Sequence, residues 1–379
     1  MYTPQDEAEL AEVITDAPAP LCIEGGGTRG CGVEGAALSL AGLSGIELYE
    51  PGSLTLVVKA GTPLAEIEAL LASEGQRMAF EPMDARGLLG TVGAPTIGGA
   101  FATNSSGPRR IQAGAARDYL LGVRFVDGAG RIVKNGGRVM KNVTGYDLVK
   151  LMAGAHGTLG VMSEVSLKVL PIPEAMASLS VAVADLPTAV RAMSAALGSP
   201  YDVTGAGYDP IAGLVHIRLE GFAPSVSYRQ EKLSADLAGF GLVAHQDDAA
   251  GLWAGIRDVS AFQGREGDVW RVSVKPSDAP LLAPVLEAEA LQFDWGGGLI
   301  WALTAAGSDL RARMAAAGIA GHATLVRADK ATRVALGRFQ PQAKPIEAIS
   351  DGLRRRFDPR GLLNPGLMNA GQITSGQKG

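Results

Sequence analysis

Between Pro95 and Leu170 the chain repeatedly places glycine beside small polar residues and sets those clusters between apolar runs. Thr96-Ile97-Gly98-Gly99 leads into Ala102-Thr103-Asn104 and then Ser105-Ser106-Gly107-Pro108. Leu120 to Val126 predicts a strand, Asp127-Gly128-Ala129-Gly130 its turn, and Arg131-Ile132-Val133 the returning partner. Gly157-Thr158-Leu159-Gly160-Val161-Met162 then provides a second edge poor in side chains, ahead of a strand predicted over Glu164 to Leu170. Glycine lets backbone come close to something that a side chain would block. Two such edges in one stretch predict a long ligand held against main chain.

The same device occurs earlier. A helix is predicted over residues 3–15, with Thr3 as its cap and Pro4 in its first turn. The short strand Pro20 to Glu24 then runs into Gly25-Gly26-Gly27-Thr28-Arg29-Gly30. These glycines spell G-x-G-x-x-G, with Glu47 about twenty residues on, as a dinucleotide fingerprint wants. The fingerprint also needs a helix after the third glycine, and Gly32, Gly35, Gly42 and Gly45 interrupt that segment. The nicotinamide-binding Rossmann reading therefore fails on context. A strand followed by exposed amides can still cradle a pyrophosphate as a backbone nest, with Thr28 and Arg29 adding a hydroxyl and a positive charge, or be a plain surface turn. Two strands are expected at Ile46–Glu50 and Leu54–Ala60, then a helix from Thr62, its expected cap, to Gly75.

Past Pro171 and Pro173 glycine thins out. Strands are predicted at Leu179–Val183, Thr204–Tyr208, Gly213–Leu219, Val269–Val274, Leu299–Leu303 and Ala323–Val326. Helices are predicted near Leu186–Leu197, Val226–Leu237, Pro280–Leu291 and Asp309–Ala317. The order β-α-β-β-α-β predicts an antiparallel sheet with helices on one face, a ferredoxin-like α+β domain. A last helix is expected from Pro345 to Phe357.

Charge and composition exclude other classes. With 34 basic and 39 acidic residues the net charge is −5, and no basic block appears, which argues against nucleic acid or an anionic membrane as partner. No run approaches the ~18 apolar residues a membrane span needs. The first residues carry neither a basic nor an apolar leader region, so a cytoplasmic location is expected, with membrane association only through partners. The 2 cysteines, Cys22 and Cys31, cannot supply the four ligands of an iron–sulfur cluster. They are expected to be small buried hydrophobes rather than a disulfide. His156, His216, His245 and His322 show no ligand spacing, and no metal site is expected.

Three phrases carry a family resemblance: Ser-Gly-Pro-Arg-Arg at 106–110, Gly-Ala-Ala-Arg-Asp-Tyr-Leu-Leu-Gly-Val at 114–123, and Met-Lys-Asn-Val-Thr-Gly-Tyr-Asp-Leu-Val-Lys-Leu at 140–151. With Phe357-Asp358-Pro359 and Asn364-Pro365-Gly366 near the end, they resemble the flavin-binding proteins of the vanillyl-alcohol oxidase, or p-cresol methylhydroxylase (PCMH), type. Within that superfamily they resemble the FAD-binding E subunits of bacterial glycolate oxidase (glycolate dehydrogenase) complexes. The resemblance implies an α+β chain: a two-lobed PCMH-type FAD-binding domain over 1–172 (lobes about 1–62 and 63–172), and an antiparallel-sheet α+β cap over 173–335. A helix and tail over 336–379 would return to the flavin domain.

The resemblance also implies one FAD. Gly25, Gly26, Gly27, Thr28 and Arg29 would line the pyrophosphate. Thr96, Ile97, Gly98, Gly99, Thr103, Asn104 and Gly107 would line the ribityl and ring region, and Gly157, Thr158, Gly160 and Val161 the second edge. Gly90 to Ala94 imitates the motif placed at Thr96 and is expected to be a loop near the flavin edge. No histidine precedes His156, so FAD is expected to be non-covalent. On the substrate side Arg109 and Arg110 could hold a carboxylate bidentately or form a solvated corner, and His322 could be catalytic or merely polar. Arg327 is a further cation, and Tyr146 and Asp147 are expected to support the fold. The implied function is the FAD subunit of a complex that oxidises a small 2-hydroxyacid, glycolate to glyoxylate. Its implied partners are a D-type FAD-linked catalytic subunit and an iron–sulfur subunit. A self-sufficient oxidoreductase on another hydroxyacid or alcohol, and a flavin-bound assembly subunit, stay open beside it.

Overall fold

The computed structural model describes residues 1–30, 33–138 and 145–368. It is an α+β chain in two compact units: 1–106, 115–172 and the segment after 340 form one, and 107–114 with 173–340 the other. Sequence alone places 107–114 in the flavin domain; contacts place it in the second unit. The chain leaves the first unit after Ser106 and re-enters at Ala115, where the Ala116 amide donates to the Ser105 carbonyl at 2.9 Å.

The first unit opens with the helix Glu7–Asp16. Its cap is Asp6, which accepts from the Ala8 and Glu9 amides, and not Thr3. Leu10 and Ile14, one turn apart, are fully buried, each burial contributing roughly 1.5–3 kcal/mol. They share a core with Leu21, Leu38, Val126, Val161, Leu362 and Leu363. Strands β1 (Leu21–Glu24) and β2 (Ala36–Ser39) pair in parallel. Tyr2 bridges to Leu38 and Leu363 to Leu21, also in parallel, so residues distant in the chain flank this pair. Cys22 on β1 is buried and disulfide-bonded, which corrects the expectation of a simple thiol; Cys31 lies outside the described residues.

A five-stranded sheet comes next, in the order β3-β4-β8-β6-β7, built from β3 (Ile46–Glu50), β4 (Thr55–Lys59), β6 (Leu120–Val126), β7 (Ile132–Gly136) and β8 (Val161–Lys168). All its pairs are antiparallel. Short β5 (Gln76–Arg77) and β9 (Leu170–Pro171) pair separately. Between β4 and β5 lies the helix Leu64–Ser73, capped at Pro63 and followed by Gly75 at φ +65°. Thr62 is not its cap. Its hydroxyl donates to the Lys59 carbonyl at 2.8 Å and accepts from the Gly45 amide at 2.9 Å, pinning two loops.

The second unit is an eight-stranded antiparallel sheet of β10 (Ala175–Ala182), β11 (Val203–Asp209), β12 (Leu214–Gly221), β13 (Val243–His245), β14 (Asp268–Ser273), β15 (Ala290–Asp294), β16 (Leu299–Thr304) and β17 (His322–Arg327). The strand order is β13-β10-β12-β11-β15-β16-β14-β17. In chain order this is β-α-β-β-α-β twice: helices Leu186–Leu197 and Ala223–Leu237 serve the first copy, Ala279–Val285 and Leu310–Ala316 the second. The copies meet where β11 pairs with β15 at Tyr208 and Phe293.

Sequence alone suggests one such unit, because Pro280–Leu291 reads as all helix and β13 is too short to register. The helix stops at Val285, Glu287 turns the chain at φ +46°, and β15 starts at Ala290. Its run Leu291-Gln292-Phe293-Asp294 alternates apolar and polar, but is too short to stand out beside the helix.

One face of this sheet forms the apolar core with Leu179, Val215, Ile217, Trp270, Val272, Ile300 and Leu325. Strand alternation turns Ser178, His216, Arg218, Glu220, Arg271, Thr324 and His322 to the other face. Much of that polar face is buried. Arg109 forms a fork onto the Glu220 carboxylate at 2.6 and 2.5 Å, with both side chains nearly inaccessible. Arg218 lies over the Trp253 ring and donates to the Thr204 hydroxyl and carbonyl at 3.2 and 3.0 Å. Removing one member of a buried pair strands the other as an uncompensated charge. Arg109→Ala should therefore destabilise the chain by about 3–5 kcal/mol, read as a lowered urea midpoint, while Arg109→Met combined with Glu220→Leu should recover part of the loss. Equal midpoints for Arg109→Ala and the parent chain would contradict this placement.

Candidate functional site

In the first unit β1 ends at Glu24 and the chain turns through Gly25, Gly26 and Gly27, with Gly27 at φ +70°. The backbone N–H groups of Gly25, Gly26, Gly27, Thr28 and Arg29 meet no acceptor among the described residues. Successive unpaired amides in a half-buried turn are a ready site for phosphate oxygens. Arg29 stands beside them, half-buried. Burial lowers its guanidinium pKa against the opposing pull of Asp84, and one nitrogen donates to the Met83 carbonyl at 3.1 Å. The Thr91 hydroxyl donates to the Thr28 carbonyl at 2.7 Å, so the segment after Gly90 braces the loop from outside.

The glycines have a different immediate reason from the one expected. A Cβ on Gly26 would lie 1.7 Å from the Ala94 carbonyl oxygen, and one on Gly25 would lie 2.2 Å from the Thr96 hydroxyl. One on Gly98 would meet the Ala60 carbonyl at 2.7 Å, and one on Gly160 the Phe125 ring at 2.6 Å. These glycines let protein segments touch one another; the space a side chain would fill is already occupied by the chain. Gly99 differs: it is half-exposed, and its nearest neighbour would be the Thr96 hydroxyl at 3.3 Å.

The other expected lining residues are tied locally. Thr96 caps the helix Ile97–Ala102 by accepting from the Gly99 amide, and Ile97 is fully buried. The Thr103 hydroxyl donates to the Gly99 carbonyl at 2.8 Å. Asn104, at φ +47°, accepts from the Arg117 amide at 2.9 Å, and Thr158 donates to the Ala155 carbonyl at 2.7 Å. Val161 is a core residue. The first unit brings the segments around Gly25, Thr96 and Gly157 together: the His156 amide donates to the Ala102 carbonyl at 2.9 Å, and Gly157 lies within 4 Å of Ile23 by its would-be Cβ. What remains to face a ligand is mainly backbone. Of the motif at 140–151, residues 140–144 lie outside the described residues, Tyr146 is exposed, and Asp147 caps the short helix Leu148–Met152.

The second unit holds a cationic cluster on the polar face of its sheet. Gly107 belongs here, and its carbonyl accepts from the Trp295 indole at 3.1 Å. Trp295 is buried and sits at φ +53° in the turn between β15 and β16. A left-handed tryptophan is strained backbone, which persists only when its surroundings fix it. Two guanidinium groups lie over its ring, Arg110 at 5.0 Å and Arg271 at 4.9 Å.

The pKa of Arg271 is brought down to about 10, first by burial and then by the like charge of Arg110, with Asp294 opposing. Among the described residues it has no hydrogen-bond acceptor. His322 lies on the same face of the neighbouring strand, two residue pairs along from Arg271. Partial burial, then Arg271 and Arg311, hold its pKa below the ordinary value, so its ring is neutral at pH 7. Arg109 is committed to Glu220, and Arg327 to the Gly267, Phe262 and Arg265 carbonyls, which withdraws both from the expected carboxylate set. No group of histidine, cysteine and acidic residues able to hold a metal occurs among the described residues.

Residues 1–136 match the FAD binding domain family. The glycolate oxidase subunit GlcE of Escherichia coli is 36% identical over 366 residues, covering 96% of each chain. The chain belongs to the GlcE family of glycolate oxidase subunits. The glycolate oxidase subunit GlcD of Bacillus subtilis is 30% identical over 202 residues, 51% of this chain and 42% of that one. Among solved structures, an alkyldihydroxyacetonephosphate synthase superposes with a TM-score of 0.70 at 16% identity, over 96% of this chain and 75% of that one. A 4-ethylphenol oxidase from Gulosibacter chungangensis gives 0.69 at 12% identity, over 97% and 88%. Those two likenesses concern the fold. This GlcE-family chain is an FAD-dependent oxidoreductase with a PCMH-type fold.

The acceptor-free amides fit the diphosphate of FAD, and the half-exposed backbone around Gly99 leaves room beside them. Arg271 and Trp295 escape sequence reasoning because no local motif marks them. The signal available is a tryptophan before three glycines, Trp295-Gly296-Gly297-Gly298, which reads as a strained turn rather than a site.

Gly26→Val and Gly98→Val should cost stability and flavin together, since both press on backbone. Gly99→Leu should leave the melting temperature of the flavin-free chain nearly unchanged yet lower FAD occupancy after reconstitution. Full occupancy in Gly99→Leu would move the ligand elsewhere. In the second unit, the His322 titration midpoint by NMR should lie below 6.5 and rise in Arg271→Gln, because a positive neighbour is removed. An unmoved midpoint would separate the two residues.

Proposed function

We propose that the chain is the FAD-carrying subunit of an assembly that oxidises a small 2-hydroxyacid, glycolate foremost, to the 2-oxoacid. The run of amides from Gly25 to Arg29 without acceptors among the described residues, in a chain similar to GlcE over 96% of its length, carries this reading. Bound FAD supplies the two-electron acceptor. It is held without a covalent link, by main-chain amides at the diphosphate and by the backbone around Gly98, Gly99 and Gly157.

Oxidising the hydroxyacid also needs a cation for the carboxylate and a base for the hydroxyl proton. Arg271 supports the first role, since its guanidinium is stacked on Trp295 and still has donors to give, and Arg110 shares that ring. His322, neutral at pH 7, is the candidate base on the same sheet face. The 2 cysteines leave no internal cluster to carry electrons onward, so a partner bearing iron–sulfur centres would receive them, beside a D-type subunit like the relative in Bacillus subtilis. Among the described residues no helix is long and apolar enough to cross a membrane, and any hold on one would come through those partners.

Acid precipitation should release the yellow colour into the supernatant; colour kept in the pellet would show a covalent link. Anaerobic glycolate or D-lactate should bleach the flavin of the co-expressed assembly. Dye reduction by the isolated chain should be far slower than with its partners, and comparable rates would favour a self-sufficient oxidoreductase. In the assembly, Arg271→Gln should raise KM by about 10- to 100-fold if a charged hydrogen bond worth about 1.5–3 kcal/mol is lost. An unchanged KM would place the carboxylate on another group.

A further inference from the structure

The last described segment of the chain works as a strap across the first unit. The Asp358 carboxylate accepts from the Leu362 and Leu363 amides at 3.0 and 2.8 Å, folding the segment into a tight turn. Arg360 reaches the far end of the first helix, donating to the Thr15 and Ala17 carbonyls at 2.6 and 2.5 Å. Leu363 then pairs with Leu21 on β1, where the Leu21 amide donates to Leu362 at 2.8 Å and the Asn364 amide to Leu21 at 3.1 Å.

At the end of the strap Asn364 is buried and left-handed, at φ +44°, a conformation asparagine tolerates. Its amide group bonds in two directions. The oxygen accepts from the Ile23 amide at 2.8 Å, and the nitrogen donates to the His156 carbonyl at 2.9 Å. Ile23 stands two residues before the glycine turn whose amides lack acceptors among the described residues, and His156 directly precedes Gly157. A Cβ on Gly157 would lie 3.0 Å from the Asn364 nitrogen, so this glycine admits the Asn364 amide.

We propose that Asn364 is a positioning residue for the flavin: one side-chain amide sets the spacing between the diphosphate loop and the Gly157 edge. This rests on reading those two segments as the flavin cradle. Without the amide, a half-buried N–H and a half-buried carbonyl each lose a bond, and the two edges are free to shift relative to each other. Asn364→Asp separates the two directions, because it keeps an acceptor for Ile23 and replaces the donor toward His156 with another acceptor.

The test is FAD titration of the flavin-free form prepared from the purified flavoprotein, read as flavin fluorescence quenching. The melting temperature of each flavin-free variant and the visible circular dichroism of the reloaded protein are measured alongside. Arg360→Ala serves as the comparison, since it loosens the strap without touching either edge. We expect Asn364→Ala and Asn364→Asp to raise the Kd for FAD by about tenfold or more, which corresponds to about 1.4 kcal/mol, and to alter the flavin dichroism. Arg360→Ala should lower the melting temperature and leave Kd within about twofold. Should Asn364→Ala fail to fold, Asn364→Asp decides. Unchanged Kd and dichroism in a folded Asn364 variant, against a parent chain that binds FAD, would overturn the inference alone. A parent chain that binds no FAD would overturn the cradle reading and the inference with it.

Discussion

The first unit depends on backbone approaching backbone more closely than any side chain permits. Gly26 and Gly93 face each other's segments so tightly that a Cβ on either would lie about 2 Å from a carbonyl oxygen, at 1.7 and 2.1 Å. Gly98 and Ala60 repeat the arrangement at the helix Ile97–Ala102. The cost is conformational entropy, because glycine loses more freedom on folding than any other residue. What it gains is a row of main-chain amides held by packing instead of by internal hydrogen bonds. Such a row offers a phosphate-bearing ligand partners that need no rearrangement.

The second unit obeys a different logic. Its sheet has an apolar face that packs under four helices and a polar face that is also largely withdrawn from water. Polar groups there are satisfied in pairs: Arg109 with Glu220, Arg218 with Thr204, and Ser180 with His216 at 2.8 Å. A face of this kind adds little net stability, because each buried charge is costly unless its partner is in place.

The first unit is legible in the sequence and the second only partly so. Glycine clusters, turn dipeptides and apolar strands are local signals, and Leu120–Val126, its returning partner and the loop after Glu24 are all read from them. Helix starts are less legible, since Thr3 and Thr62 have the chemistry of caps, but Asp6 and Pro63 hold those positions. The duplicated βαββαβ pattern is hidden by the short β13 and β15. The roles of Arg109 and Arg271 depend on Glu220 and Trp295, partners distant in the chain, and no local pattern encodes such pairings.

On the polar face of each half of the doubled sheet a strand arginine lies over a tryptophan, joined in the second half by Arg110, and the surroundings of the two stacks differ. In the first, Arg218 on Trp253 is sealed by Thr204 and Glu220. In the second, Arg271 on Trp295 has the aromatic support without an acceptor among the described residues. The two stacks hold different places in their copies, Arg218 on the third strand and Arg271 on the first, and one is closed by its partners where the other keeps donors without an acceptor among the described residues. An anion that settled on Arg271 would bind only the folded sheet, so by mass action its concentration would tune the stability of this half of the molecule and make the fold itself a reporter of ligand supply.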